Sequence, residues 1–225
     1  RLPADGRAIA LMVLLSGMWG LNQVCIKLAE PGVSLVMQAC LRSAIAAVLL
    51  FLWTRLRGIA LFNRDGSLWP GLLAGGLFAA EFVCIYLGLL HTTASRLTVF
   101  LYTAPFWVAA LVPWVVPSER LRPMQWLGMA CAFVAVVFAM RDGVATSVGA
   151  GNMGDWLGLT AGALWGLTTV SIRANQLTRI APEKLLLYQI ATTALAVPCI
   201  SMALGESWNF NWGPLAWGSM LAQTV

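Results

Sequence analysis

Apolar runs long enough to cross a membrane recur seven times in these 225 residues, and that recurrence restricts the fold more than any motif does. The runs are 8–28, 34–53, 69–90, 95–116, 124–140, 156–172 and 185–204, and an eighth begins near Gly213. A hydrocarbon core of about 30 Å needs roughly 20 helical residues, each rising about 1.5 Å. In lipid a spanning segment must satisfy its own backbone hydrogen bonds, so the expected fold class is an all-α polytopic membrane protein. Charge agrees: only 10% of the residues are charged, where a soluble domain carries roughly 25%. The segments between the runs, such as NRDGS, PSERLRP and RDGVATSVGAGNMGD, are too short to fold alone. Whatever the protein does must happen within the bilayer.

The first run follows Arg1 and Arg7, as a signal peptide would. It lacks a small-x-small cleavage site and precedes six more spans, so it reads as a retained helix. With the N-terminus in the cytoplasm, Arg1, Arg7, Arg55, Arg57, Arg64, Arg120, Arg122, Arg173, Arg179 and Lys184 fall inside. Lys27, Arg96 and Arg141 fall outside, and ten against three sets that orientation by the positive-inside rule. The net charge of +5 is therefore a topology signal, and no nucleic-acid partner is expected. Cys25, Cys40, Cys84, Cys131 and Cys199 are too far apart for a metal or redox pair and read as small buried hydrophobes, so neither metal nor cofactor is expected.

The first and sixth runs resemble each other. MWGLNQVCIK at 18–27 aligns with LWGLTTVSIR at 164–173, and PGVSLVMQ at 31–38 aligns with PEKLLLYQ at 182–189. The two copies start five spans apart, an odd number, so the second enters the membrane from the opposite face. Inverted-topology repeats are characteristic of secondary transporters, in which two halves alternate access to a site at their interface.

The residues WGLNQVCIK in the first span and LRSAIAA around Arg42 resemble the EamA-type transporters of the drug/metabolite transporter superfamily. So do GLLHTTASRLTVFLYTAPFWVAAL at 88–111 and SERLRPMQWLGMACAFVAVVF at 118–138, with Glu119, Leu121 and Gly128 in the family's places. The resemblance implies ten spans in two inverted five-helix repeats and export of amino acids, other small metabolites or amphipathic toxic compounds across a bacterial inner membrane. On that pattern 8–140 is the first repeat, 141–153 a connecting loop and 154–225 an incomplete second repeat. The chain starts at Arg1 and stops at Val225 inside an apolar run, and is read as a fragment lacking most of spans eight to ten.

Trp19, Asn22, Gln23 and Ile26 share one helical face, as do their repeat counterparts Trp165, Thr168, Thr169 and Ile172. A polar, aromatic-edged face is poor lipid contact, so it should line a substrate path; interhelical hydrogen bonding, worth about 0.6 kcal/mol on average, is the plainer use. Gln38, Gln189 and Tyr102 (with Thr103) are further candidate substrate-binding residues. Pro105 would kink the fourth span, around a cavity or simply for packing. Gly154, Gly158, Gly162 and Gly166 form a small-residue stripe that lets a backbone approach, within one chain or across a homodimer. Arg42 and Glu81 stand deep in spans and would pair with each other or with polar neighbours; Glu81, the one mid-span carboxylate, is the candidate proton-coupling group. His91 reads as an interfacial hydrogen-bonder. The expected function is a secondary transporter of a small molecule, with lipid and protons as its other partners. An uncoupled facilitator and a non-transporting assembly partner are the alternatives. No P-loop is present, so transport would not be powered by nucleotide hydrolysis in this chain. An intramembrane enzyme would need clustered His, Asp, Cys or Ser at depth, and one histidine, isolated cysteines and the lack of G-x-S-x-G or H-E-x-x-H give it little support.

Overall fold

A computed structural model describes residues 6–29, 32–63, 65–117, 120–139, 141, 153–203, 205 and 213–224. Each expected run is helical: α1 (Gly6–Ala29), α2 (Leu35–Leu56), α3 (Leu68–His91), α6 (Pro123–Ala139), α7 (Met153–Ala174), α8 (Pro182–Ala203) and α9 (Pro214–Thr224). The fourth run is divided into α4 (Ala94–Leu101) and α5 (Ala104–Val115). Pro123, Pro182 and Pro214 open their helices, where a missing N–H leaves no bond unmade. Gly58, at φ +67°, follows α2 in the left-handed conformation that closes a helix cheaply only for glycine.

Four described stretches have both the length and the hydropathy of a span: Val36–Leu56, Leu68–His91, Ala94–Val115 and Pro182–Ala203. Among the described residues α1 and α6 add shorter apolar stretches, Ile9–Met18 and Pro123–Phe138, within helices of 24 and 17 residues. α7 has 22 residues, but its glycines, threonines and Asp155 dilute its hydropathy. Its surroundings explain that composition. It packs against α3, α4 and α5, so protein covers much of it and small residues serve better than large apolar ones.

α3 lies between α7 and α8, α2 packs on α8, α4 and α5 run along α7, and α9 packs on α1 and α2. Neighbours in sequence touch far less: α1 with α2 and α2 with α3 make only slight contact. Ile26, Val36, Ala39, Cys40, Tyr86 and Val197 form a buried cluster joining α1, α2, α3 and α8. Close approach of α3 and α8 is permitted by Gly75, where a Cβ would stand 2.5 Å from the Thr192 hydroxyl and 2.6 Å from the Tyr188 carbonyl. One sequence expectation is corrected here. Cys40 is buried and Cys25 and Cys84 are half-buried, but Cys131 and Cys199 are exposed on the outer faces of α6 and α8. Lipid is as apolar as a protein core, so a thiol is equally at home there.

Candidate functional site

The broken fourth span and the glycine stripe are built for each other. At Tyr102–Thr103 the helix stops: the Thr103 N–H donates to the Phe100 carbonyl at 3.0 Å, and its hydroxyl donates to the same oxygen at 2.7 Å. Pro105 therefore sits in the first turn of α5 rather than inside a continuous helix, where the N–H it lacks is not needed. Gly162 of α7 lies against this break. A Cβ on it would stand 2.6 Å from the Thr103 hydroxyl, 2.9 Å from the Phe100 carbonyl and 3.1 Å from the Leu101 carbonyl. Gly154 meets Thr92, Gly158 meets Phe100 and Leu97, and Gly166 meets Trp107, so the stripe follows α4 and the first turn of α5. It is satisfied within one chain.

Beside this seam Tyr102, Pro105, Val108, Val112, Trp165 and Arg173 line a cavity of about 340 Å³. A second cavity of about 690 Å³ adjoins it through Ala109 and Leu121 and is bounded by Trp114, Arg120 and Trp126. No acidic residue lines either one among the described residues. The fold thus brings together Tyr102, Pro105 and Trp165 from the sequence candidates and adds Arg173, which the sequence offered only as an orienting charge. Thr168 is buried and donates to the Leu164 carbonyl at 2.9 Å, and Thr169 donates to the Trp165 carbonyl at 3.2 Å. Each hydroxyl oxygen keeps acceptor capacity. The side chains of Trp19, Asn22 and Gln23, on α1, lie outside the described residues.

Other candidates lie elsewhere. Gln38 is buried, and its Nε2 donates to the carbonyls of Val33 at 3.0 Å and Ile26 at 3.3 Å, while its Oε1 accepts from Gln223 at 3.3 Å. That amide ties α2 to α1 and α9. Gln189 is half-buried on α8, and His91 is exposed at the end of α3. Glu81 is buried on α3, and its Oε2 has no hydrogen-bond partner among the described residues. The expected pairing with Arg42 is not formed: the guanidinium lies 5.1 Å from the centroid of the Phe82 ring, a cation–π contact that relieves the same charge.

Two ion pairs escaped the sequence reading. Arg96, in the first turn of α4, donates from Nε and Nη2 to the two oxygens of Asp155 at the start of α7, at 2.7 and 2.6 Å. At the other end of α3, Lys184 of α8 is buried and donates to Asp65 at 2.8 Å and to the Asn63 carbonyl at 3.1 Å. The Ser67 hydroxyl also donates to Asp65, at 2.5 Å, and contacts the Tyr188 hydroxyl at 3.2 Å. The bonds from Lys184 and Ser67 hold the Asp65 carboxyl well below the usual carboxylate range.

The profile of the EamA-like transporter family matches residues 6–141, more than half of the chain. The chain belongs to the EamA-like transporter family. It is an integral membrane protein of a transporter family within the drug/metabolite superfamily. The EamA-like match takes in α1 to α6, and with them one wall of the cavity; α7, which supplies Trp165 and Arg173, lies beyond it. A solved crystal structure superposes on this EamA-like chain with a TM-score of 0.69 at 16% identity, covering 93% of this chain and 74% of its own. At that identity the likeness is one of fold. No curated relative matches the chain at a significant level.

Proposed function

We propose that this EamA-like chain is a secondary-active transporter of the bacterial inner membrane, with its N-terminus in the cytoplasm. Two inverted five-helix repeats would export amino acids or related metabolites, or amphipathic drugs, by alternating access. One observation carries the reading. Exchanging α1 with α7, α2 with α8 and α3 with α9 carries the main contacts among these six helices onto one another: α3 on α7 becomes α9 on α1, α3 on α8 becomes α9 on α2, and α2 on α8 maps to itself. That correspondence supports a two-fold relation between repeats, with the family match ending at 141, where the first repeat would end. The cavity between α5 and α7 is the substrate path in this reading, and Glu81 is the proton carrier, since a buried carboxylate oxygen without a partner is stabilised by taking up a proton.

Two measurements in proteoliposomes test it. Cysteines placed singly at 102 and 165 in a cysteine-free background should react with water-soluble reagents and be protected by a transported compound. Failure of both positions to react removes the path. Flux should respond to an imposed pH gradient in the native protein and lose that response in Glu81→Gln. Flux indifferent to both changes would leave an uncoupled facilitator.

A further inference from the structure

Arg55 and Arg57 stand at the end of α2, where its apolar stretch, Val36–Leu56, runs out. Both are exposed, yet both fold back along the helix instead of extending away from it. The Arg55 guanidinium lies 5.0 Å from the centroid of the Phe51 ring, and that of Arg57 lies 4.9 Å from the centroid of the Trp53 ring. Each ring is four residues nearer the middle of the span. Arginines at a span end usually reach outward to the interface. These two are drawn back by about a turn, to the edge of the hydrocarbon. By helical periodicity Phe51 and Arg55 form one stripe and Trp53 and Arg57 another, each about 100° from the stripe of Leu52 and Leu56 between them. Those leucines lie opposite the buried Thr54 and are 52% and 85% exposed, so they face lipid. An outward apolar strip is therefore flanked on both sides by a cation backed by a ring. Phe62 steadies one flank, its ring edge-on to Phe51 at 6.4 Å, with Leu61 beside it buried.

Nothing among the described residues answers these charges. Neither guanidinium makes an ion pair or a hydrogen bond there. The helix-end carbonyls that could take such donors are engaged by backbone: those of Trp53, Thr54 and Arg55 accept from the N–H groups of Arg57, Ile59 and Gly58. Asp65, further along the turn, is bonded to Lys184 and Ser67. A guanidinium over a ring spends its face on the ring and keeps its in-plane N–H donors. We propose that each flank binds the phosphodiester headgroup of an anionic phospholipid, with acyl chains lying along the Leu52–Leu56 strip. Lipid phosphates occupy the boundary of the hydrocarbon, the level at which both guanidiniums are held, and forked N–H donors match their oxygens. A zwitterionic lipid carries a cation of its own beside the phosphate, so it gains less from a second one. The inference stands on the end of α2 alone and is independent of what the protein transports.

Native mass spectrometry of the whole protein, freed of lipid in neutral detergent, tests this with phosphatidylglycerol and phosphatidylcholine of the same chains. Two phosphatidylglycerols should bind, each about fivefold more tightly than phosphatidylcholine, the gain expected for one arginine near an anionic lipid. Arg55→Gln and Arg57→Gln should each abolish one of the two, and the double variant should bind both lipids alike, its phosphatidylcholine binding showing that it is folded. Trp53→Leu keeps the charge but releases Arg57 from its ring, and should weaken that flank alone. Arg122→Gln removes an exposed arginine at the same end of the bundle, two spans later, and should leave both sites unchanged. A preference for phosphatidylglycerol that survives the double variant overturns the proposal. An equal loss in Arg122→Gln also overturns it, by reducing the effect to diffuse attraction. So does displacement of the lipid by inorganic phosphate at constant ionic strength, which would assign the arginines to a soluble anion.

Discussion

Gly162→Ala tests whether α7 is seated against the break in the fourth span. The added methyl would lie 2.6 Å from the Thr103 hydroxyl and 2.9 Å from the Phe100 carbonyl. Ordinary contact begins near 3.4 Å, so α7 and the break must part by roughly 0.5–0.8 Å. Neither obstacle can swing aside, because one is backbone and the other is bonded to it at 2.7 Å. Overpacking of this kind costs about 1–3 kcal/mol. Alanine also gains up to about 1 kcal/mol over glycine in any helix interior. Gly76→Ala on α3, with nothing within 4 Å of the new methyl, isolates that gain. The two variants should therefore differ by about 1–3 kcal/mol, a factor of roughly 5 to 150 in the unfolding equilibrium. Gly158→Ala, where the nearest atom is the Phe100 Cβ at 3.0 Å, should fall between them. Reversible unfolding in mixed micelles, followed by tryptophan fluorescence, measures the series. A Gly162→Ala protein as stable as Gly76→Ala would refute the seating of the stripe on the break.

The two ion pairs give further predictions. Asp65 has a folded pKa below its unfolded value of about 3.9, so its contribution is present above that value and is lost as pH falls toward the folded pKa. Asp65→Asn should be less stable than the native protein at pH 7, with the gap flat down to about pH 5 and closing below about pH 4 in acid-unfolding curves. Lys184→Met should abolish that acid dependence as well, because it removes the main donor to Asp65. At the other end, Arg96→Asp and Asp155→Arg should each destabilise the protein, and the doubly exchanged protein should recover part of the loss in the same assay; a double variant worse than either single one would argue against a direct bond.

Much of the fold could be read in the sequence, because apolar run length is a local property. The same holds for the glycine stripe, whose spacing of four residues fixes one face whatever lies opposite. The break at Tyr102–Thr103 was less legible. Pro105 announces a disturbance, but only the bonds of Thr103 to the Phe100 carbonyl place it three residues earlier and turn a kink into two helices. Least legible were the partners of Arg96 and Lys184, which lie 59 and 119 residues away in the chain. Counted along the sequence these cations report only which side of the membrane they occupy, and their bonds depend on how the halves meet. Arg173 was hidden for the same reason: its place beside Tyr102 follows from the packing of α5 on α7.

The packing of α3 between α7 and α8 has a consequence for how the protein is made. Spans enter the bilayer in the order in which the ribosome delivers them, and α3 is inserted before either helix that covers it exists. Until then its glycine groove and the Glu81 carboxyl are left to whatever the newly inserted α1 and α2 can offer, which is little. The nascent chain should therefore wait in a loosely associated state, held by the insertion machinery or exposed to membrane proteases. It would close in one late step, when α7 and α8 arrive.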